Sequence, residues 1–207
     1  MIKFIFFDVG GVVVDDFTGN NKWEEMKEFM GVREGVEKEF DELYDKYELK
    51  DLCLSRNVDS LMPLFSKKFG IHFPKNFSML DYFVEHLYIN HHIWPIIKKA
   101  KCNFRIGLLT NMYVDMFEKI RKNKLLPPID WDIIIDSSIV GLQKPDPKIF
   151  ALSEDKCGVK GEEILFIDNS KENIKSADKF GWNTFLYDST NHQKSCTELD
   201  KFIKNIH

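Results

Sequence analysis

Met1-Ile2-Lys3-Phe4-Ile5-Phe6-Phe7-Asp8-Val9-Gly10-Gly11 opens the chain with an almost unbroken apolar run that stops at an acid and two glycines. A strand covered on both faces of a parallel sheet reads this way, because neither face alternates with polar residues. The run resembles a secretory leader at first sight, but Asp8 interrupts it and no small-residue cleavage site follows. An acid that ends a buried run is costly unless it is used. Asp8 is therefore a candidate functional residue rather than a turn or capping residue.

Working outward, runs of the same kind recur at 104–109, 133–135, 164–167 and 184–187. Between them lie helical patterns at 93–99, 114–122, 147–156 and 171–180, with a last one at about 197–206. Strands alternating with helices predict a doubly wound parallel sheet, an α/β fold with helices on both faces and right-handed crossovers.

Residues 16–92 break this rhythm. They hold no strand run, and their apolar residues fall at helical spacing, as in Val36, Phe40, Leu43 and Tyr47 and in Met79, Phe83 and Leu87. Gly31, Gly35 and Gly70 punctuate the block, and Gly70 fits a helix C-cap. The expected organisation is a core of residues 1–15 and 93–207 carrying an inserted helical-bundle cap at 16–92. Ligands of open parallel sheets bind at the carboxyl ends of the strands, where this insert leaves the chain, so it is placed to close over a substrate. The acidic and aromatic segment from Trp23 to Met30 either lines that entrance or packs within the cap.

Composition narrows the partners. The 207 residues are 43 % hydrophobic and 30 % charged, with 18 phenylalanines, a globular balance that argues against disorder. The net charge is −4, and the basic residues form no stripe of the kind a nucleic-acid backbone requires. No segment approaches the about 20 apolar residues of a membrane span. Cys53, Cys102, Cys157 and Cys196 lie far apart with neither metal nor redox spacing, as expected of thiols in the cytoplasm. His72, His86, His91 and His92 have no partner set for a metal and are read as surface or packing residues.

Four short segments fall at the carboxyl ends of expected strands: Asp8 to Val12, Thr110-Asn111, Lys144-Pro145-Asp146-Pro147, and Asp168-Asn169-Ser170. On a doubly wound sheet they converge on one crevice and bring two carboxylates, a hydroxyl, an amide and an ammonium. In order and spacing these segments resemble the four motifs of the haloacid dehalogenase-like superfamily. The likeness is sharpest at Phe6-Phe7-Asp8-Val9-Gly10-Gly11-Val12, at Leu108-Leu109-Thr110-Asn111, from Val140 to Phe150, and at Phe166-Ile167-Asp168-Asn169-Ser170-Lys171-Glu172-Asn173. An insert directly after the first motif resembles the cap of the subgroup with a small helical bundle.

The resemblance implies a Mg²⁺-dependent phosphatase acting on a small phosphorylated metabolite. Asp8 would attack phosphorus and form an aspartyl-phosphate that water later cleaves. Asp8, Asp168 and the carbonyl of Gly10 would ligate Mg²⁺, a hard cation that suits oxygen donors and offsets repulsion between carboxylate and phosphoryl oxygens. Lys144 would balance charge on the phosphoryl group, and Thr110 and Asn111 would donate hydrogen bonds to it.

One position departs from the pattern. Superfamily phosphatases usually carry a second Asp two residues after the nucleophile as general acid and base, a group typically worth about 10²–10⁴-fold. Here that residue is Gly10, which has no proton to give. Three accounts follow: a phosphatase or mutase-like enzyme with a good leaving group, such as an anomeric sugar hydroxyl or an acyl group; a 2-haloacid dehalogenase, whose halide needs no proton; or a non-catalytic, regulatory binding protein. The subgroup with Asp-x-Gly-(Asn/Gly)-Val and an Asp seven positions on, here Asp15, resembles this sequence and contains phosphatases. Asp168 argues against a dehalogenase, which usually replaces that acid, while Asn169 weakens the metal site's charge. Retention of Asp8, Thr110, Lys144 and Asp168 together favours the phosphatase. Asp15 and Asp16 are close enough to Asp8 in sequence to replace the missing acid.

Overall fold

The computed structural model describes residues 1–206, apart from the side chain of Leu49. The strands are β1 Phe4–Phe7, β2 Val14–Asp15, β3 Tyr88–Ile89, β4 Arg105–Thr110, β5 Ile133–Asp136, β6 Ile164–Asp168 and β7 Asn183–Leu186. Five of them form one parallel sheet in the order β5-β4-β1-β6-β7. The apolar run at the start of the chain thus supplies the central strand. On one side Phe7 pairs with Leu108, and on the other with Ile167. The order reverses at β1, which makes its carboxyl end the switch point where such sheets open a crevice.

The helices are α1 Lys22–Met30, α2 Glu37–Tyr47, α3 Cys53–Ser55, α4 Met62–Phe69, α5 Met79–Glu85, α6 Trp94–Lys101, α7 Met116–Lys122, α8 Ser137–Val140, α9 Pro147–Cys157, α10 Lys171–Lys179 and α11 His192–Asn205. Helices cover both faces of the sheet. Ile5, Phe7, Ile106, Leu108 and Ile167 point to one face, where they meet α6, α7 and α11 through Ile97, Ile120 and Leu199. Phe4, Phe6, Leu109 and Phe166 point to the other, under Ile149 and Phe150 of α9 and Ala177 of α10. Successive strand residues alternate between faces, so a sheet buried on both sides needs the unbroken apolar runs seen in the sequence. Among the described residues no helix is long and apolar enough to cross a membrane.

Helices α1 to α5 follow β2 and surround an apolar cluster of their own, centred on Met26, Phe40, Val58, Leu61, Phe65 and Leu80. The expected periodicity holds in part: Met79, Phe83 and Leu87 are buried, whereas in α2 Phe40 and Tyr44 form the buried face and Val36, Leu43 and Tyr47 are only half-buried. Gly70 closes α4 in a left-handed conformation, as its position predicts. One strand in this region was not legible. Tyr88–Ile89 pairs antiparallel with Val14–Asp15, so the chain leaves the sheet and returns to it through a two-stranded stem. A single turn of π-helix at Glu48–Leu52 extends α2.

Gly107 shows how tightly the sheet is packed. A β-carbon there would lie 2.9 Å from the Ile133 carbonyl oxygen and from Phe6 Cε1, and 3.0 Å from Phe4 Cε1. Gly107→Ala should therefore cost about 1–3 kcal/mol by overpacking, read as a lower urea midpoint in equilibrium unfolding. An unchanged midpoint would show that the two rings can move aside freely.

Candidate active site

The site is built on the carboxyl ends of β1, β4 and β6. Asp8 follows β1 directly and is 8 % exposed, while Asp168 ends β6 and is fully buried. Lys144 Nζ lies between them, 2.9 Å from Asp8 Oδ1 and 2.6 Å from Asp168 Oδ2. Burial works against the charged lysine, but the two carboxylates outweigh it and hold the ammonium above the ordinary lysine range. Burial lifts the Asp8 carboxyl to about 7; Lys144 pulls it down and Asp168 pushes it up. One ammonium facing two buried carboxylates leaves the cluster one positive charge short.

Each of these groups is held from behind. Asp8 Oδ1 accepts from Val9 N at 2.7 Å. The Asp168 carboxylate accepts from Ser170 N at 2.7 Å and from Asn173 Nδ2 at 3.2 and 3.1 Å. Asn173 sits in the first turn of α10, whose N-cap Ser170 accepts from Asn173 N, so the helix start aims the amide at the strand end. Asn111 holds Lys144 by its backbone: Asn111 Nδ2 donates to Lys144 O at 2.8 Å, and Lys144 N donates to Asn111 Oδ1 at 2.9 Å. Both ends of the Asn111 amide are thereby engaged with the lysine's main chain.

Thr110, the last residue of β4, is 1 % exposed, and its hydroxyl has no hydrogen-bond partner. It does not cap a helix, since α7 begins only at Met116. A buried hydroxyl left in this state costs about 1–3 kcal/mol, which a ligand oxygen would recover.

The turn after Asp8 is equally constrained. Val13 N and Val14 N both donate to Val9 O, at 3.0 and 2.9 Å. Ser189 Oγ donates to Gly11 O, and Asn90 Nδ2 to Val12 O. Gly11 has φ +71°, and a β-carbon there would meet Asn169 Nδ2 at 2.1 Å, so both the conformation and the space require glycine. Gly10 is different in kind: the nearest atom to its would-be β-carbon is Asp16 Oδ2, at 3.0 Å.

A cavity of about 770 Å³ opens beside this cluster, reaching Gly10, Asn111 and Lys144 on the sheet side. Its other wall comes from the helical block, with Asp16, Trp23, Glu24, Tyr44, Glu48 and Phe83. The segment from Trp23 to Met30 therefore does both things expected of it: Trp23 and Glu24 line the cavity while Met26 and Met30 pack inside. Sequence reading missed a polar chain in this wall. The Tyr44 and Tyr113 hydroxyls share a hydrogen bond, and Tyr113 donates to Glu48 Oε1 at 2.6 Å. Burial raises the Glu48 carboxyl and both phenols. Only tertiary structure brings residues 44, 48 and 113 together.

Oxygens of two buried carboxylates and a missing positive charge suit a hard divalent cation, which often takes one or two carboxylates and keeps several waters. The histidines play no part: His72, His91 and His92 are exposed, and His86 stacks on Tyr82. Among the described residues no cluster of three or more His, Cys, Asp or Glu forms a separate metal site. The four cysteines are free.

A family model for haloacid dehalogenase-like hydrolases matches residues 2–181. The chain belongs to this family. A HAD-like family hydrolase from Porphyromonas gingivalis is 25 % identical and superposes with a TM-score of 0.75 over 96 % of this chain and 98 % of that one. A HAD family enzyme from Bacteroides thetaiotaomicron, crystallised with magnesium and inorganic phosphate, shares the fold with a TM-score of 0.71 at 18 % identity, covering 91 % of this chain and 96 % of that one. Among curated proteins, bifunctional epoxide hydrolase 2 of Sus scrofa is 29 % identical over 139 residues, 64 % of this chain and 25 % of that protein. The (S)-2-haloacid dehalogenase 4A of Burkholderia cepacia is 26 % identical over 87 residues, 42 % of this chain and 37 % of that one. The chain thus spans about a quarter of the length of the epoxide hydrolase it matches.

Asn111→Ala removes two hydrogen bonds that fix the Lys144 main chain. The variant should lose about 1–3 kcal/mol of stability, measured by urea unfolding. Wild-type stability would show that the lysine is held by other contacts.

Proposed function

We propose that this HAD-like hydrolase is a Mg²⁺-dependent phosphohydrolase acting on a small phosphorylated metabolite, of which sugar phosphates are one class, with residues 16–92 as its cap. The observation that carries this reading is the Asp8–Lys144–Asp168 cluster beside the unpartnered Thr110 hydroxyl. It holds a carboxylate nucleophile, a cation for phosphoryl oxygens and a spare buried donor in one place.

Asp8 Oδ2 makes no hydrogen bond, whereas Oδ1 is engaged by Val9 N and Lys144. That free oxygen is the nucleophile. It attacks phosphorus and gives an aspartyl-phosphate, which water cleaves to release phosphate and restore Asp8. In the resting site two carboxylates hold the Lys144 ammonium charged, and it faces the phosphoryl oxygens as their negative charge shifts. Thr110 Oγ1 donates to one of those oxygens. Asn111 acts through Lys144, by fixing its main chain. Asp8, Asp168 and the Gly10 carbonyl would hold Mg²⁺, which supplies charge neutralisation when bound. Asn173 and Ser170 N keep the Asp168 carboxylate turned toward the cluster.

Asp168 also bears on the dehalogenase alternative. Displacing a halide from carbon needs no divalent cation, and a second buried carboxylate beside the nucleophile would then only add repulsion.

Hydrolysis of p-nitrophenyl phosphate tests the reading, since nitrophenolate departs without a proton. Wild-type protein with Mg²⁺ should turn the ester over, and EDTA or Asp8→Asn should reduce the rate by at least about 10³-fold, the scale on which loss of a catalytic nucleophile is felt. Folded protein with no phosphatase activity, but with chloride release from 2-chloropropionate, would establish the dehalogenase instead.

A further inference from the structure

The proposed reaction leaves one group unassigned: the proton donor for the departing alcohol. Gly10 has none. Asp8 attacks phosphorus in line, so the leaving oxygen departs away from Asp8 and into the cavity, where Gly10 and Asp16 are neighbours.

Two adjacent acids stand at the stem, and the structure separates them. Asp15 belongs to β2, pairs with Tyr88, and carries its carboxylate 3.5 Å from His192 Nε2 and 3.9 Å from Lys22 Nζ. It does not line the cavity. Successive residues of an extended segment face opposite sides, and Asp16 turns the other way. Its Oδ1 accepts from Thr18 N at 2.8 Å, and its carbonyl accepts from Asn20 Nδ2 at 2.8 Å and from Lys22 Nζ at 3.0 Å. These bonds fix the residue, and its Oδ2 lies 3.0 Å from where a Gly10 β-carbon would be. A carboxyl oxygen lies two bonds from its own β-carbon. An Asp at residue 10 would therefore carry its carboxyl into the space that Asp16 Oδ2 now fills. Glu48, the other half-buried acid of the cavity, has one oxygen engaged by Tyr113.

We propose that Asp16, reaching in from the start of the cap, is the catalytic acid and base of this enzyme in place of a residue-10 carboxyl. As Asp8 bonds to phosphorus, the bond from phosphorus to the leaving oxygen breaks. Its electron pair stays on that oxygen, which takes the proton of the Asp16 carboxyl. In the second half-reaction the Asp16 carboxylate takes a proton from the water that attacks the aspartyl-phosphate. Phosphate leaves, Asp8 is regenerated, and Asp16 is again protonated. Gly10 suits this arrangement, because a side chain there would crowd the carboxyl that does the work.

This proposal rests on the phosphohydrolase reading, and the test separates the two. The quantity compared is kcat/KM, which reports only formation of the aspartyl-phosphate and not its shared hydrolysis, for p-nitrophenyl phosphate and phenyl phosphate with wild type, Asp15→Asn, Asp16→Asn and the relocation variant Gly10→Asp/Asp16→Gly. Asp16→Asn should lose about 10²–10⁴-fold on phenyl phosphate, whose phenolate needs a proton, and less than about tenfold on the nitrophenyl ester. Asp15→Asn should keep the wild-type ratio between the esters. The relocation variant should recover at least about tenfold on phenyl phosphate over Asp16→Asn, since it returns a carboxyl to the same space. Equal losses on both esters, or no loss, would overturn the proposal. If Asp16→Asn does not fold, the relocation variant decides: phenyl phosphate turnover within about tenfold of wild type supports the proposal, and a larger deficit overturns it. Wild-type protein that hydrolyses neither ester would refute the phosphohydrolase reading, and this proposal with it.

Discussion

Lys144 stands with its ammonium between two carboxylates in a place that water hardly reaches, and the geometry around it follows from that contact. Taking ions out of water costs several kcal/mol each, and their attraction repays this only when hydrogen bonds fix them well. Hence the supporting contacts converge on the three charged residues. Asn111 holds the lysine by its main chain, Asn173 and Ser170 hold Asp168, and Val9 holds Asp8. Removal of any partner would leave a buried charge uncompensated. The arrangement remains one positive charge short, a deficit suited to a cation.

The sheet makes this cluster possible because it fixes three strand ends at one level. Phe7 pairs with Leu108 and with Ile167, so the residues that follow in β1, β4 and β6 emerge side by side. Register here is set by the packing of particular side chains on the two buried faces, since an unbroken apolar run carries no alternation to fix it. Gly107 lets the Phe4 and Phe6 rings lie against β4, and so belongs to the same constraint although it is far from the chemistry.

What was legible in the sequence follows from the strength of each physical signal. Burial on both faces writes the central strands β1, β4 and β6 as unbroken runs, and the partly exposed edge strands β5 and β7 still carry short apolar runs, so all five were visible to within a residue or two. The stem was not, because two residues each of β2 and β3 carry no period, and Val14 hides inside the apolar turn after Asp8. Helix α11 starts at His192, earlier than its apolar pattern, because its start is fixed by the Asn191 cap and not by hydrophobic spacing. Asp8, Thr110, Lys144 and Asp168 were readable as strand-end chemistry. The engagement of Asn111 with the Lys144 backbone was not, since an amide offers a donor and an acceptor to whatever lies near, and that neighbour is 33 residues away. Asn173 carried a signal that went unused: it lies three residues after a capping serine, at the helix turn that faces the strand end.

The stem links the two parts of the molecule by more than connection. Val14 and Asp15 pair with Tyr88 and Ile89, so both passages of the chain into the helical block are held in one ladder directly above the nucleophile turn. Asn90, next to that ladder, donates to Val12 O and to the Tyr187 hydroxyl, which also bonds His192 Nδ1. The position of the helical block relative to Asp8 is thus fixed within a few residues of the site and from both strands of its entry. A carboxyl placed on residue 10 would belong to the turn after β1, whereas Asp16 belongs to the stem. In the proposed site the proton donor and the helical wall of the cavity are therefore held by the same ladder, so the fit of an alcohol to that wall and the protonation of its oxygen depend on the same contacts.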